Sequence, residues 1–424
     1  MFQTIELDLI DERILYTEIK NLKVYYIPKK GFAKSYAMLT SDFGSKDVEF
    51  SVDGGKTYKR YPEGIAHFLE HKVFEMPGGE NIFNKFTELG ASVNAFTNNR
   101  QTSYYFSTTD NFYENLELLV KMVLTPHLTE ENVEKEKGII AEEIAMYDDN
   151  PAFRGYLEAM KALYHNHPVR EDIAGTKESI YSLTPRDLQE CYDAFYDPSN
   201  MVLVVVGDLD EARVRSVVQD NISDRKAVTV TKKSWTEPYG SKSKEAEVSM
   251  SLQVPNYILA WKVPSGNGEL MKDTIAGSLM AKLVFGKSST FYEEHLADGI
   301  INDSFSAEFN LEEDHGEMFI GGESKNPEKD RDAILEYIDK VNRDPDFFTK
   351  RTSEIELLKK SMTGQFMNIF NSVDSIGITA TGNILRGKNL HEYILTLRSI
   401  TQGDVENMFK RVFGVENRAF VVIK

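Results

Sequence analysis

The run His67-Phe68-Leu69-Glu70-His71 sets two imidazoles four residues apart, with a carboxylate beside the second. On a helix, four residues advance about 400°, so His67 and His71 share a face and can both offer a ring nitrogen to one ion. Glu70 lies about 60° from His67 around the helix axis, placed to reach an attacking water without binding the ion itself. Two histidines and one carboxylate are the usual protein ligands of a hydrolytic zinc site, with a fourth position left open. Hydrolysis supported by Zn²⁺ is therefore the chemistry these residues suit. The third ligand is expected to be an Asp or Glu on a neighbouring helix. Residues 129–147 offer Glu136, Glu142 and Glu143. Glu136 and Glu143 are seven apart and share a face two turns apart, flanked by Ile139 and Ile140, which are expected to pack inward.

Two helices must carry these groups. Residues 64–74 read as one, with Ala66, Phe68, Leu69, Val73 and Phe74 at mixed i, i+3 and i+4 spacings and Pro77-Gly78-Gly79 as the stop. Residues 129–147 read as the other, opened by Thr129 with Glu130 and Glu131 at the positive end of the dipole. Between them, residues 92–96 and 103–107 predict a strand pair around the polar turn Thr97-Asn98-Asn99-Arg100. Further strands are expected at 21–27 and 37–40, with a fully buried one at 201–207, and further helices at 110–124, 153–164 and 184–196. Residues 223–251 lose apolar density and gather Lys226, Lys232, Lys233, Lys242 and Lys244, which reads as a linker. The second half repeats the style of the first: a strand at 257–263, a helix at 269–285, a long helical region at 353–370 and a last strand at 419–423. The expected division is 1–222, 223–251 as linker, and 252–424.

Several segments together resemble the M16 metallopeptidases, the group of pitrilysin, insulin-degrading enzyme and mitochondrial processing peptidase. They are Gly64-Ile-Ala-His67-Phe-Leu-Glu70-His71; Gly90-Ala-Ser-Val-Asn94-Ala-Phe-Thr97 followed by Thr102-Ser-Tyr-Tyr; Glu134-Lys-Glu136-Lys-Gly-Ile-Ile-Ala-Glu-Glu143-Ile; and His167-Pro168 with Gly175-Thr and Tyr196-Asp-Pro198-Ser-Asn200. The likeness is greatest to short bacterial members, the YmfH-like group. It implies an α+β fold of two related domains, each a mixed or antiparallel sheet with helices on one side (LuxS/MPP-like), and a zinc site only in the first. It selects Glu143 as third ligand, Glu70 as general base and Glu136 as a supporting carboxylate. It also implies that peptide substrates add as a strand to the edge near Asn94 and Ala95. One departure stands out. Where the family has an Arg and a Tyr seven residues apart in its second half, this chain has His295 and Asn302. Either His295 partly substitutes, or a related M16-like chain supplies the pair in a heterodimer. A homodimer is the other arrangement. Two such chains would meet as a clamshell around a chamber.

Composition narrows the alternatives. The 424 residues carry 49 Lys+Arg against 67 Asp+Glu, a formal charge of −18, which argues against nucleic acid or an anionic membrane as partner. No apolar run reaches the ~20 residues a membrane span needs. Residues 1–20 hold Glu6, Asp8, Asp11, Glu12 and Glu18 and lack the basic start and apolar stretch of a signal peptide, so a cytoplasmic location is expected. The single Cys191 excludes disulfides and thiolate zinc clusters within one chain, and it reads as a packed thiol. His165 and His167 read as loop residues beside Pro168, and His127, His315 and His391 as structural or surface. The competing functional readings are a non-catalytic peptide-binding or assembly subunit of a peptidase complex and a zinc hydrolase of something other than peptides.

Overall fold

A computed structural model of the chain describes residues 2–7, 12–76, 82–265, 268–388 and 390–424. The expected helix stop at Pro77-Gly78-Gly79, together with Asp8 and Asp11, falls outside them. The strands are β1 (Gln3–Leu7), β2 (Glu12–Ile19), β3 (Leu22–Pro28), β4 (Ser35–Ser41), β5 (Glu49–Ser51), β6 (Lys59–Arg60), β7 (Ala91–Thr97), β8 (Thr102–Thr108), β9 (Met201–Gly207), β10 (Thr231–Lys232), β11 (Glu245–Val248), β12 (Asn256–Lys262), β13 (Ser306–Leu311), β14 (Gly316–Glu323) and β15 (Arg418–Ile423).

The chain forms two compact units. The first, residues 1–144, 172–234 and 366–392, is built on a sheet of order β1-β2-β3-β9-β4-β8-β7, with β5, β6 and β10 in a small sheet of their own. The second, residues 145–171, 235–365 and 393–424, is built on the order β11-β15-β12-β14-β13. Leaving out β1 and β2, the two main sheets have the same plan. In each, strands taken in chain order lie 1-5-2-4-3, the outer pair (β3 with β9, β11 with β15) is parallel and every other pair is antiparallel. The halves are thus one design used twice, an α+β arrangement as expected.

In the first unit, Val24, Leu39, Tyr104, Phe106, Leu203 and Val205 on one face of the sheet pack against Phe68, Leu69, Leu116, Val120 and Leu188 from the helix layer. The opposite face is not left to water. Tyr36, Met38, Val204 and Val206 are also buried, because helix Val373–Leu385 lies across β4 and β9. That is why residues 201–207 read as a continuous apolar run rather than an alternating one. In the second unit, helix Pro151–Leu163 lies in the same way across β11, β12 and β15, with Ala159, Met160 and Leu163 packed on Ala260, Val421 and Ile423.

These two helices explain why the units do not follow the boundaries expected at 222 and 252. Residues 145–171 are integral to the second unit and 366–392 to the first, since each covers a sheet face that would otherwise expose valines and tyrosines. Nor are residues 223–251 a structureless linker. Thr231–Lys232 pairs with β5 in the first unit, and Glu245–Val248 pairs with β15 in the second. Both are edge strands, and polar edge strands look like loops in composition. Among the described residues, no helix is long and apolar enough to cross a membrane.

Candidate metal centre

The His67/His71 pair stands on helix Ile65–Val73. Gly64 precedes it with φ 88°, and a side chain there would press within 2.4 Å of the Ala174 carbonyl oxygen, so only glycine can begin the helix at this spot. Ile65, Ala66, Phe68, Leu69 and Val73 anchor one face in the core, and this leaves His67, Glu70 and His71 to the other. Helix Glu130–Asp148 lies alongside, anchored by Val133, Ile140 and Ile144. Ile139, expected to pack inward, is instead 46% exposed and lines the cleft in front of the histidines. The seven-residue step from Glu136 to Glu143 turns those two carboxylates toward the imidazoles, while Glu142 points to solvent.

His67 Nε2 lies 3.7 Å from one Glu143 oxygen, and His71 Nε2 lies 3.4 Å from the other. The two rings stand 4.6 Å apart, centre to centre. One ligand atom from each of His67, His71 and Glu143 falls within 4.8 Å of the others, so the three could hold one ion. Donors bound to zinc at 2.0–2.1 Å in tetrahedral array sit about 3.4 Å from one another, and the spacings found here suit that geometry. The ring chemistry suits it too. His71 Nδ1 pairs with Glu136 Oε1 at 2.9 Å, so with the proton on Nδ1 the Nε2 lone pair is left for a metal. Burial, with a further push from His71, holds His67 down to about 3, which keeps it the neutral imidazole a ligand must be.

Glu70 is tied to the sheet. Thr97 Oγ1 donates to Glu70 Oε2 at 2.6 Å. Burial raises the Glu70 carboxyl above its ordinary range, with the Thr97 bond and the His71 charge opposing and Glu143 adding to the rise. A carboxyl whose burial favours its protonated form is a candidate for taking up and returning a proton. Glu136, by contrast, is lowered: burial works against it, but the His71 bond and the charges of His71 and Lys72 outweigh that.

Asn94 and Ala95 lie on β7, which pairs with β8 alone and is the last strand of its sheet. Asn94 is exposed, and its Oδ1 accepts the Ala95 N–H at 2.8 Å, so a donor of the strand is answered by a neighbour rather than by a ladder partner. A cleft of about 860 Å³ opens beside Glu70, His71 and Asn94, with Phe74, Phe83 and Glu136 in its walls.

Three residues of this neighbourhood were not singled out from the sequence. Thr97 could have been: it continues the period-two series Val93, Ala95 that faces the helix layer. Lys72 sits on the core face of its helix one turn after Phe68, and a lysine in such a series is a signal. His127, expected to be structural or surface, lines the cleft, and its isolation in sequence gave no hint of that.

Comparison with known proteins decides the family. The family model for insulinase (peptidase family M16) matches residues 46–177, and the model for the peptidase M16 inactive domain matches residues 182–350. A Bacillus subtilis (strain 168) protein named as an uncharacterised zinc protease, YmfH, is 38% identical over 424 aligned residues, covering 98% of this chain and 97% of its own. The chain belongs to peptidase family M16. A second B. subtilis protein, named as the uncharacterised zinc protease YmxG, is 27% identical over 372 aligned residues and covers 85% of this chain and 88% of its own. A solved structure from Alicyclobacillus acidocaldarius, described as an M16-like peptidase, superposes with a TM-score of 0.90 at 31% identity, covering 100% of this chain and 98% of that one.

The remaining residues singled out from the sequence of this M16 chain lie in the second unit. His295, on helix Thr290–Ala297, stacks on the Phe291 ring at 4.1 Å, and its Nδ1 pairs with the Phe291 carbonyl. Asn302 is spent on a turn: its Nδ2 donates to the Glu323 carbonyl, and its Oδ1 accepts from Ser304. The helix of the second unit that follows its second strand, Leu270–Phe285, is the topological counterpart of Ile65–Val73 and carries no histidine. Its Gly277 is filled over by the Phe309 ring of edge strand β13, which occupies the space where a side chain on the helix would stand.

Proposed function

We propose that this chain is a zinc-dependent endopeptidase that hydrolyses peptides within a clamshell chamber, as the metal-bearing partner of a related M16-like chain. The observation that carries the reading is the convergence of His67 Nε2, His71 Nε2 and the Glu143 carboxylate within 4.8 Å, with Glu70 beside them. His67, His71 and Glu143 would hold the ion. Zinc, when bound, supplies a Lewis acid that acidifies water toward pKa ~7 and polarises a peptide carbonyl. Glu70 accepts the proton of the attacking water and returns it to the nitrogen of the leaving amine. Thr97 holds one Glu70 oxygen and so fixes the orientation of the carboxylate. Glu136 orients the His71 ring through Nδ1. A peptide adds along the open edge of β7 beside Asn94 and Ala95, reading backbone rather than side chains.

The Arg and Tyr that the family uses to hold substrate and its oxyanion are not on this chain at the matching positions, where His295 and Asn302 have other employment. We assign that pair to a related subunit, in a reducing, cytoplasmic setting consistent with the single buried Cys191. The deciding experiment is zinc analysis of the purified chain followed by digestion of a peptide library, alone and with a related M16 chain that bears the Arg/Tyr pair, with and without chelator. Stoichiometric zinc and chelator-sensitive cleavage are expected. A chain without zinc, or with zinc but no cleavage in either setting, returns the reading to a binding or assembly subunit.

A further inference from the structure

Lys72 is buried to 1% exposure on the core face of helix Ile65–Val73, where the neighbouring turns present Phe68 and Leu69. A buried ammonium must place its three N–H donors, because an unanswered charge away from water is costly. Here Nζ meets Glu75 Oε2 at 2.7 Å, the main-chain oxygen of Asn132 at 3.0 Å and Glu136 Oε2 at 3.7 Å. The other oxygen of Glu136 is the one paired with His71 Nδ1. A single carboxylate, itself 6% exposed, therefore bridges the lysine and the imidazole.

We propose that Lys72 is a positioning residue of the metal centre, acting through Glu136 to fix the tautomer and ring orientation of His71; this rests on the reading that His67, His71 and Glu143 hold zinc. Two observations carry it. Glu136 borders the open cleft, so without a cation at its back the carboxylate gains by swinging out to water and leaving His71 Nδ1 unanswered. Lys72 also grips the Asn132 carbonyl in the first turn of helix Glu130–Asp148. That grip, with the one on Glu75, holds the ammonium in place behind Glu136. Removing a partner of a ligand histidine typically weakens metal binding 10–100-fold.

The test is zinc affinity of the full-length apoprotein, by competition with a chromogenic chelator, for wild type, K72M, E136Q and K72M/E136Q. Circular dichroism checks folding, and the visible bands of the Co²⁺-loaded proteins report ligand geometry. K72M is expected to bind zinc 10–100-fold more weakly than wild type, with shifted Co²⁺ bands. The double variant is expected to match E136Q, because Lys72 acts on His71 through Glu136, and its contacts with Glu75 and the Asn132 carbonyl are not to His71. K72M with wild-type affinity and bands, or losses that multiply in the double variant, overturns the proposal. Where K72M alone does not fold, the double variant against E136Q decides: equal affinity supports the role, and a further tenfold loss overturns it. Wild-type protein that takes up no zinc fails the metal-site reading itself, before any variant is compared.

Discussion

Thr97 gives its hydroxyl hydrogen to Glu70 at 2.6 Å, which joins the proposed base to the end of the strand along which substrate would lie. A hydrogen bond to a charged carboxylate contributes about 1.5–3 kcal/mol. Thr97→Val should therefore lower kcat by about tenfold or more with KM little changed, and Thr97→Ser should restore most of it. Steady-state kinetics on a fluorogenic peptide checks this. Equal loss in the valine and serine variants would point to packing rather than to the hydroxyl.

Glu70→Gln should keep its zinc and lose turnover. General acid–base catalysis contributes 10²–10⁴-fold, and the amide cannot accept the proton. Metal analysis and peptide cleavage on the same preparation separate the two effects. Ordinary cleavage by this variant would sink the assigned role.

Glu143→Gln should instead lose metal. Ligand binding to the folded state stabilises it by RT ln(1 + [L]/Kd), about 2.7 kcal/mol when free zinc is 100 times Kd. Chelator should therefore lower the melting temperature of the wild type clearly and that of Glu143→Gln or His67→Ala hardly at all. A melting curve for wild type that ignores chelator contradicts the three-ligand site.

Gly377→Ala tests the covered face of the first sheet. A methyl at this position would come within 2.3 Å of the buried Tyr36 ring, and overpacking of this kind costs about 1–3 kcal/mol. The expected outcome is a lower denaturation midpoint with zinc binding retained. An unchanged midpoint would mean the helix shifts freely over β4.

Much of the site was legible because helices have a fixed period. Four residues separate His67 from His71, seven separate Glu136 from Glu143, and the helices found at Ile65–Val73 and Glu130–Asp148 differ from the expected ones by a residue or so at each end. Spacing alone did not choose between Glu142 and Glu143; family likeness did, and the structure turns Glu143 to the histidines and Glu142 to water. Contacts made by residues far apart in sequence stayed hidden. Thr97 reaches Glu70 across 27 positions and Lys72 reaches Asn132 across 60. The unit boundaries were hidden for the same reason, since nothing local in residues 151–163 or 373–385 says which sheet they will cover. The strands at 3–7 and 12–19 were not legible because Glu6, Glu12, Arg13 and Glu18 give these segments the composition of a solvated stretch.

The helix laid across β4 and β9 also sets a timetable. Ribosomes add about 5–20 residues each second. The last strand of the first sheet ends at Gly207 and its cover ends at Leu385, so the 178 residues between them (385 − 207) occupy roughly 10–35 s of synthesis. Throughout that interval Tyr36, Met38, Val204 and Val206 lack the cover of that helix. The apolar face of this sheet is therefore closed only when a helix from the last sixth of the sequence has been made, so the first unit cannot complete its core while the chain is half synthesised.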